Sequence, residues 1–95
     1  MPEMHFTVRW PDGSVERCYS PSLVMKEHFA VGEAYGIAEF RALSRVALGI
    51  ASERVRARHG FACSRALGQL ARIEAACGHF AEMPGARVRV DAFEE

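Results

Sequence analysis

The stretch "MHFTVRWPDGSVERCY", Met4 to Tyr19, alternates, turns and alternates again. Met4, Phe6, Val8 and Trp10 fall on one side of an extended chain, and His5, Thr7 and Arg9 on the other. That period of two is what a half-buried strand requires. Pro11, Asp12 and Gly13 then supply a fixed φ, a side chain able to bond the following backbone, and a residue free to take positive φ, so the chain reverses there. Ser14 to Tyr19 returns as a second strand, with Val15 and Tyr19 facing one way and Cys18 the other. Alternation alone does not say which of those faces is inside. A bare hairpin is marginal in water, so the remaining chain must add a strand and a cover.

The added strand is predicted at the far end of the chain. Arg87 to Phe93 places Val88, Val90 and Ala92 on one face, after a loop at "MPGA", Met83 to Ala86. The cover comes from between. Pro21 ends the second strand, and Ser22 can cap a short helix from Leu23 to Phe29. Gly32 and Gly36 bracket a tight connection anchored by Val31 and Tyr35. Ile37 to Arg58 carries Phe40, Leu43, Ala47, Ile50 and Arg54 at spacings of three and four, with Val46 and Val55 widening the stripe. This predicts a helix of roughly 33 Å, in which Gly49 marks a close crossing.

Gly60 is a helix stop, where positive φ costs little. Phe61 is expected to pack back on the helix end. Cys63 or Ser64 then opens a second helix to about Cys77, with Ser64 the better N-cap because its hydroxyl accepts an amide proton. Leu67, Leu70, Ile73 or Glu74, and Ala76–Cys77 form its apolar side. The expected fold is α+β, one domain over residues 1–95. A small antiparallel three-stranded sheet, the N-terminal hairpin plus the C-terminal strand, is covered by a helical pair and a short helix. Its expected core is Phe6, Val8, Trp10, Phe40, Leu43, Ile50, Leu67, Leu70, Val88 and Val90.

Composition narrows the classes of function. Residues are 49% apolar and 25% charged, which suits a folded soluble domain rather than a disordered chain. Formal net charge is zero, so no global field draws in nucleic acid or an anionic membrane. The charges are nonetheless uneven. Between Ala38 and Arg72 stand seven arginines against Glu39 and Glu53. A basic face opposite an acidic one can meet an anion, an acidic protein surface or another copy. No apolar run approaches a membrane span and no secretory h-region follows the start, so a cytoplasmic location is expected. Cys18, Cys63 and Cys77 are odd in number and widely spaced, as reduced thiols would be.

The corner "RHGFACSRA", Arg58 to Ala66, together with the helix turn before it holds the candidate binding residues Arg54, Arg56, Arg58, His59 and Cys63, with Gly60, Phe61 and Ser64 shaping it. A thiol at a helix N-terminus feels the positive end of the dipole, yet small thiols are also common inert core residues. Arginines in i,i+4 pairs, Arg41 with Arg45 and Arg54 with Arg58, repel on one face unless something neutralises them, and guanidinium forks suit carboxylates and phosphates. Cys77 and His79 make only one weak pair of the four ligands a structural zinc needs, so no metal and no cofactor is expected. Read as a helix-turn-helix, the second helix offers only Arg65, Gln69 and Arg72 as base readers, so nucleic-acid binding is not expected. Neither a phosphate loop nor a nucleophile elbow occurs, and no catalytic residue is assigned.

The stretches "MPEMHFTVRWPDG", "CYSPS", "SERVRARHGFACSRA" and "VRVDAFE" together resemble a family of small bacterial nitrogen starvation response proteins. The most specific part is Ser52 to Ala66, where the family motif falls on Ser52, Glu53, Arg54, Val55, Arg56, Gly60, Phe61, Cys63 and Ser64. The resemblance implies a role near nitrile or cyanide nitrogen metabolism. It also implies a gene cluster with a nitrilase, a radical-SAM protein, an acetyltransferase-like protein and a flavin oxidoreductase. It implies no catalytic residue. The expectation is therefore a non-enzymatic accessory or regulatory protein, a homodimer that binds another protein of the same gene cluster, with the enzyme question left open. The rival is a small-molecule sensor or enzyme subunit using Cys63 and the nearby arginines.

Overall fold

The computed structural model of the chain describes residues 2–95. Its elements are β1 (Met4–Arg9), β2 (Val15–Ser20), α1 (Met25–His28), β3 (Ala34–Gly36), α2 (Ile37–His59), α3 (Ser64–Phe80) and β4 (Arg87–Glu94). The strands make one antiparallel sheet in the order β2-β1-β4-β3, with the helices over one face.

The hairpin forms as its residues require. Gly13 takes φ 88°, and its N–H donates to the Trp10 carbonyl at 2.9 Å. Asp12 Oδ1 accepts from the Ser14 N–H at 2.9 Å, the local bond that favours aspartate in turns. The register pairs Phe6 with Cys18 and Val8 with Glu16. This settles the face of β2: Cys18 and Ser20 point into the core, while Val15 lies open to solvent.

The sheet has four strands, not the three expected. Ala34–Gly36 pairs with Arg87–Arg89 and forms the second edge. Three residues are too few to show alternation, and alanine and glycine have little strand preference, so tertiary pairing alone makes this strand. The C-terminal strand also departs from simple alternation. Val8 pairs with Val90 but Thr7 with Ala92, leaving Asp91 as an extra residue in a bulge. The bulge resets the phase, so Phe93 rather than Ala92 stands opposite Phe6 and packs on the core. Asp91 is turned to the open face, where it meets Arg9 at 3.1 Å and Arg89 at 3.5 Å.

An aromatic chain links the layers. Trp10 stacks on Phe80 (6.0 Å between centroids) and meets Phe40 edge-on (5.7 Å). Phe40 touches Phe29 (5.2 Å), which meets Tyr35 and Phe6. The helix phases differ in part from the apolar stripes. α2 buries Phe40, Ser44, Ala47, Leu48, Ala51 and Ser52. Leu43 and Ile50 only flank that face, and Val46 is 51% exposed. Small side chains let the helix lie close to its neighbours, which outweighs the larger residues one position away. Gly49 marks no crossing: it is exposed, and a Cβ there would meet nothing within 4 Å. Val31 is likewise exposed and anchors nothing, whereas Tyr35 receives the Ala30 N–H at 2.9 Å.

α2 and α3 form a helical hairpin. Glu74 is paired with both Arg41 and Arg45, and α3 buries Ala66, Ile73, Cys77 and Phe80. Leu67, expected inside, is 48% exposed. α3 is also tied to the strands. Trp10 Nε1–H donates to Glu16 Oε1 (3.2 Å), and Arg72 donates to the other oxygen of the same carboxylate (2.6 Å). The Tyr19 N–H donates to Gln69 Oε1 at 3.0 Å, which covers part of the outer edge of β2.

Candidate functional site

The corner between α2 and α3 is made by Gly60. With φ 83° it caps α2, its N–H donating to the Arg56 carbonyl at 2.8 Å. A left-handed stop of this kind is commonly followed by a hydrophobic contact back onto the helix, and here that contact does not form. Phe61 stands 69% exposed, its ring tilted beside His59 at 6.4 Å; it does not pack back on the helix. α3 begins at Ser64 with Cys63 as its N-cap residue, and no side chain caps it. Ser64 is thus inside the first turn rather than the cap.

The three arginines of the expected binding set are not equivalent. Arg54 Nη1 donates to Ser22 Oγ at 2.9 Å. That serine is buried and also accepts from the Val24 N–H, while its carbonyl accepts from Ser20 Oγ. Arg54 is therefore a tie between α2 and the β2–α1 connection. Arg56 forks onto Glu53 one turn back, and this pairing draws the Glu53 carboxyl below its ordinary range. Arg58, among the described residues, has no hydrogen bond and no carboxylate partner. Arg65 lies with its guanidinium 3.8 Å above the Tyr19 ring, a cation–π contact.

Beneath the corner lies a cavity of about 230 Å³ lined by Glu3, Tyr19, Pro21, Val55, His59 and Cys63. It brings His59 and Cys63 together and leaves Arg54, Arg56 and Arg58 out. Burial, then the Glu3 carboxylate and Cys63 beside it, push the Tyr19 hydroxyl above its usual range. The other thiols are core residues. Burial pushes Cys18 up to about 12 and raises Cys77 as well. Cys63 alone is half-open. The Cys77–His79 pair is split, the thiol buried and the imidazole exposed against Phe80. Among the described residues no group of three His, Cys, Asp or Glu side chains is placed to hold a metal.

Sequence reasoning missed Glu3, Tyr19, Pro21 and Val55. Tyr19 was within reach, since it belongs to the face of β2 opposite Cys18. Nothing in the chain places Glu3 at the end of α2; only the pairing of β1 with β2 carries it there.

A family model described as "Nitrogen starvation-induced protein NitG" matches residues 5–93. The chain belongs to the NitG family. The match spans nearly every element, and of the residues at the corner and its cavity only Glu3 lies outside it. No curated protein matches the chain, and no solved structure does. Among the described residues, no helix is long and apolar enough to cross a membrane. NitG membership thus ties the fold to nitrogen starvation by name.

Proposed function

We propose that this NitG protein is a non-enzymatic accessory or regulatory component of nitrile- or cyanide-linked nitrogen metabolism in the cytoplasm, acting by contact with another protein of its gene cluster. The observation that carries this reading is the exposed Phe61 at a corner whose neighbour Arg58 has no carboxylate partner among the described residues. Aromatic and arginine side chains are enriched at protein interfaces. The test is capture on the tagged protein from nitrogen-starved cells, with mass spectrometry of what is retained. A specific protein retained by the wild type and lost from Arg58→Ser supports the reading. Retention of no specific protein removes it.

The protein is further proposed to be a homodimer. Support comes from the outer edge of β2. The Tyr19 N–H points away from β1, so the main chain of Arg17 and Val15 does too, and an open edge invites pairing. A monomer mass in light scattering throughout the micromolar range would remove this part.

A second reading, a small-molecule sensor or enzyme subunit, is favoured by the cavity that joins Cys63 to His59. It differs from the expectation in its residues, since Glu3 and Tyr19 stand where arginines were anticipated. The rate of thiol modification against pH discriminates. A Cys63 that reacts fully at neutral pH supports the sensor, and an unreactive one supports the accessory protein.

A further inference from the structure

We infer that the corner docks Phe61 into an apolar socket on a protein partner whose rim carries carboxylates, with Arg58 and Arg65 as the cations that meet the rim. This rests on the protein-contact reading and gives the partner its chemistry. It also changes which residues carry the contact. Arg54 and Arg56 are held within the chain, by Ser22 and Glu53, and Phe61 takes their place as the anchor.

The segment that forms the corner has no acidic residue of its own. From Arg54 to Ile73 the chain holds five arginines and His59 but no aspartate or glutamate. α3 has no acidic residue in its first turn, where the helix dipole favours one. Arg56 and Arg72 find carboxylates from outside that segment, Glu53 and Glu16. Among the described residues Arg54, Arg58 and Arg65 do not: the first bonds a hydroxyl, the third covers a ring, and Arg58 is open to solvent.

The apolar part sits among these charges. Phe61 and Leu67 are 69% and 48% exposed, and Ala62, Gly68 and Ala71 are also open. Scattered exposed apolar residues need no explanation; an aromatic at the apex of a helical hairpin, with the exposed Arg58 and Arg65 a few positions to either side and one carboxylate, Glu3, in the cavity beneath, has one. Burying such a side chain removes a large apolar surface from water and so favours a socket. A carboxylate rim would supply the missing charge and the register.

Charge decides between occupants. A second copy using the same patch would set Arg58 against a like charge, so the corner stays free in a symmetric dimer. A nucleic acid would answer the guanidiniums but not Phe61. An anionic bilayer would answer both, yet a few cations near its surface hold it only weakly, and one aromatic is a small wedge.

The test pans a random peptide library on the immobilised full-length protein, with Phe61→Ser as counter-selection. Phe61 is exposed, so the variant should keep its fold, and an unchanged urea midpoint checks this. Enriched peptides that combine apolar residues with several carboxylates, bind Phe61→Ser and Arg58→Glu roughly tenfold more weakly, and weaken with salt support the inference. Peptides without an acidic excess, or equal binding to Phe61→Ser, overturn it. Phosphatidylserine vesicles that retain the wild type but not Phe61→Ser overturn it in favour of a membrane. If capture from cells succeeds and survives Phe61→Ser, this docking surface falls while the protein-contact reading stands. If capture fails altogether, it is that reading which falls.

Discussion

Phe40 and Phe61 are the same side chain near opposite ends of α2, one fully buried and the other 69% exposed. Phe40 sits one turn into the helix, on the face that meets Trp10 and Phe29. Phe61 follows a left-handed glycine that swings the chain off the helix axis. The difference teaches that burial here is decided by the backbone, and that composition alone would have put both inside. It also separates two kinds of arginine. Arg54, nearer the sealed part, gives its guanidinium to a buried serine, while Arg58, one turn on, holds no partner among the described residues.

The largest test of this contrast is truncation at both ends. Phe40→Ala should lower unfolding stability by about 3–5 kcal/mol, whereas Phe61→Ala should change it by less than about 0.5 kcal/mol. Urea titrations of the two variants compare them directly; similar losses would mean that the corner is packed after all.

The core should also show itself in alkali. The Cys18 thiol is raised by burial to about 12 from an ordinary 9.0, so the unfolded chain loses this proton first. Its contribution is complete below about pH 9 and declines as pH climbs toward 12, by ~4 kcal/mol at most. Denaturation midpoints measured up that range should fall in the wild type and fall less in Cys18→Ala. Cys77 and Tyr19, raised in the same direction, would account for the remaining slope.

Smaller effects mark the border between the two regions. Arg54→Ala should cost about 1–2 kcal/mol through the lost charged hydrogen bond, and Arg58→Ala should cost nothing measurable. Gly60→Ala should cost about 1 kcal/mol, because its φ of 83° is strained for a side chain even though the space around it is open. If Gly60→Ala were neutral, the corner would be too mobile to present Phe61 in one direction.

Much of the sealed part was legible in the chain. Met4 to Trp10 alternated, "PDG" turned, and Gly60 stopped a helix whose bounds, Ile37–His59, agree with the expected Ile37–Arg58 to one residue. What escaped was set by tertiary pairing. β3 exists because β4 offers it an edge, and the Asp91 bulge leaves no mark on a strand read alone. The phase of α2 was misplaced because Leu43 and Ile50 outrank Ser44 and Ala51 in hydrophobicity, though close approach favours the small pair. At the corner, the arginines were visible but their partners were not. Ser22, which claims Arg54, lies 32 positions away, and Glu3, which lines the cavity, belongs to the opposite end of the chain.

Trp10 is the protein's single tryptophan, and its indole N–H is held by the same Glu16 that anchors Arg72 of α3. Its fluorescence is therefore a built-in gauge of whether α3 remains seated on the strands. Engagement of a partner at the distant apex should leave the emission maximum in place, whereas any event that lifts α3 should move it to the red.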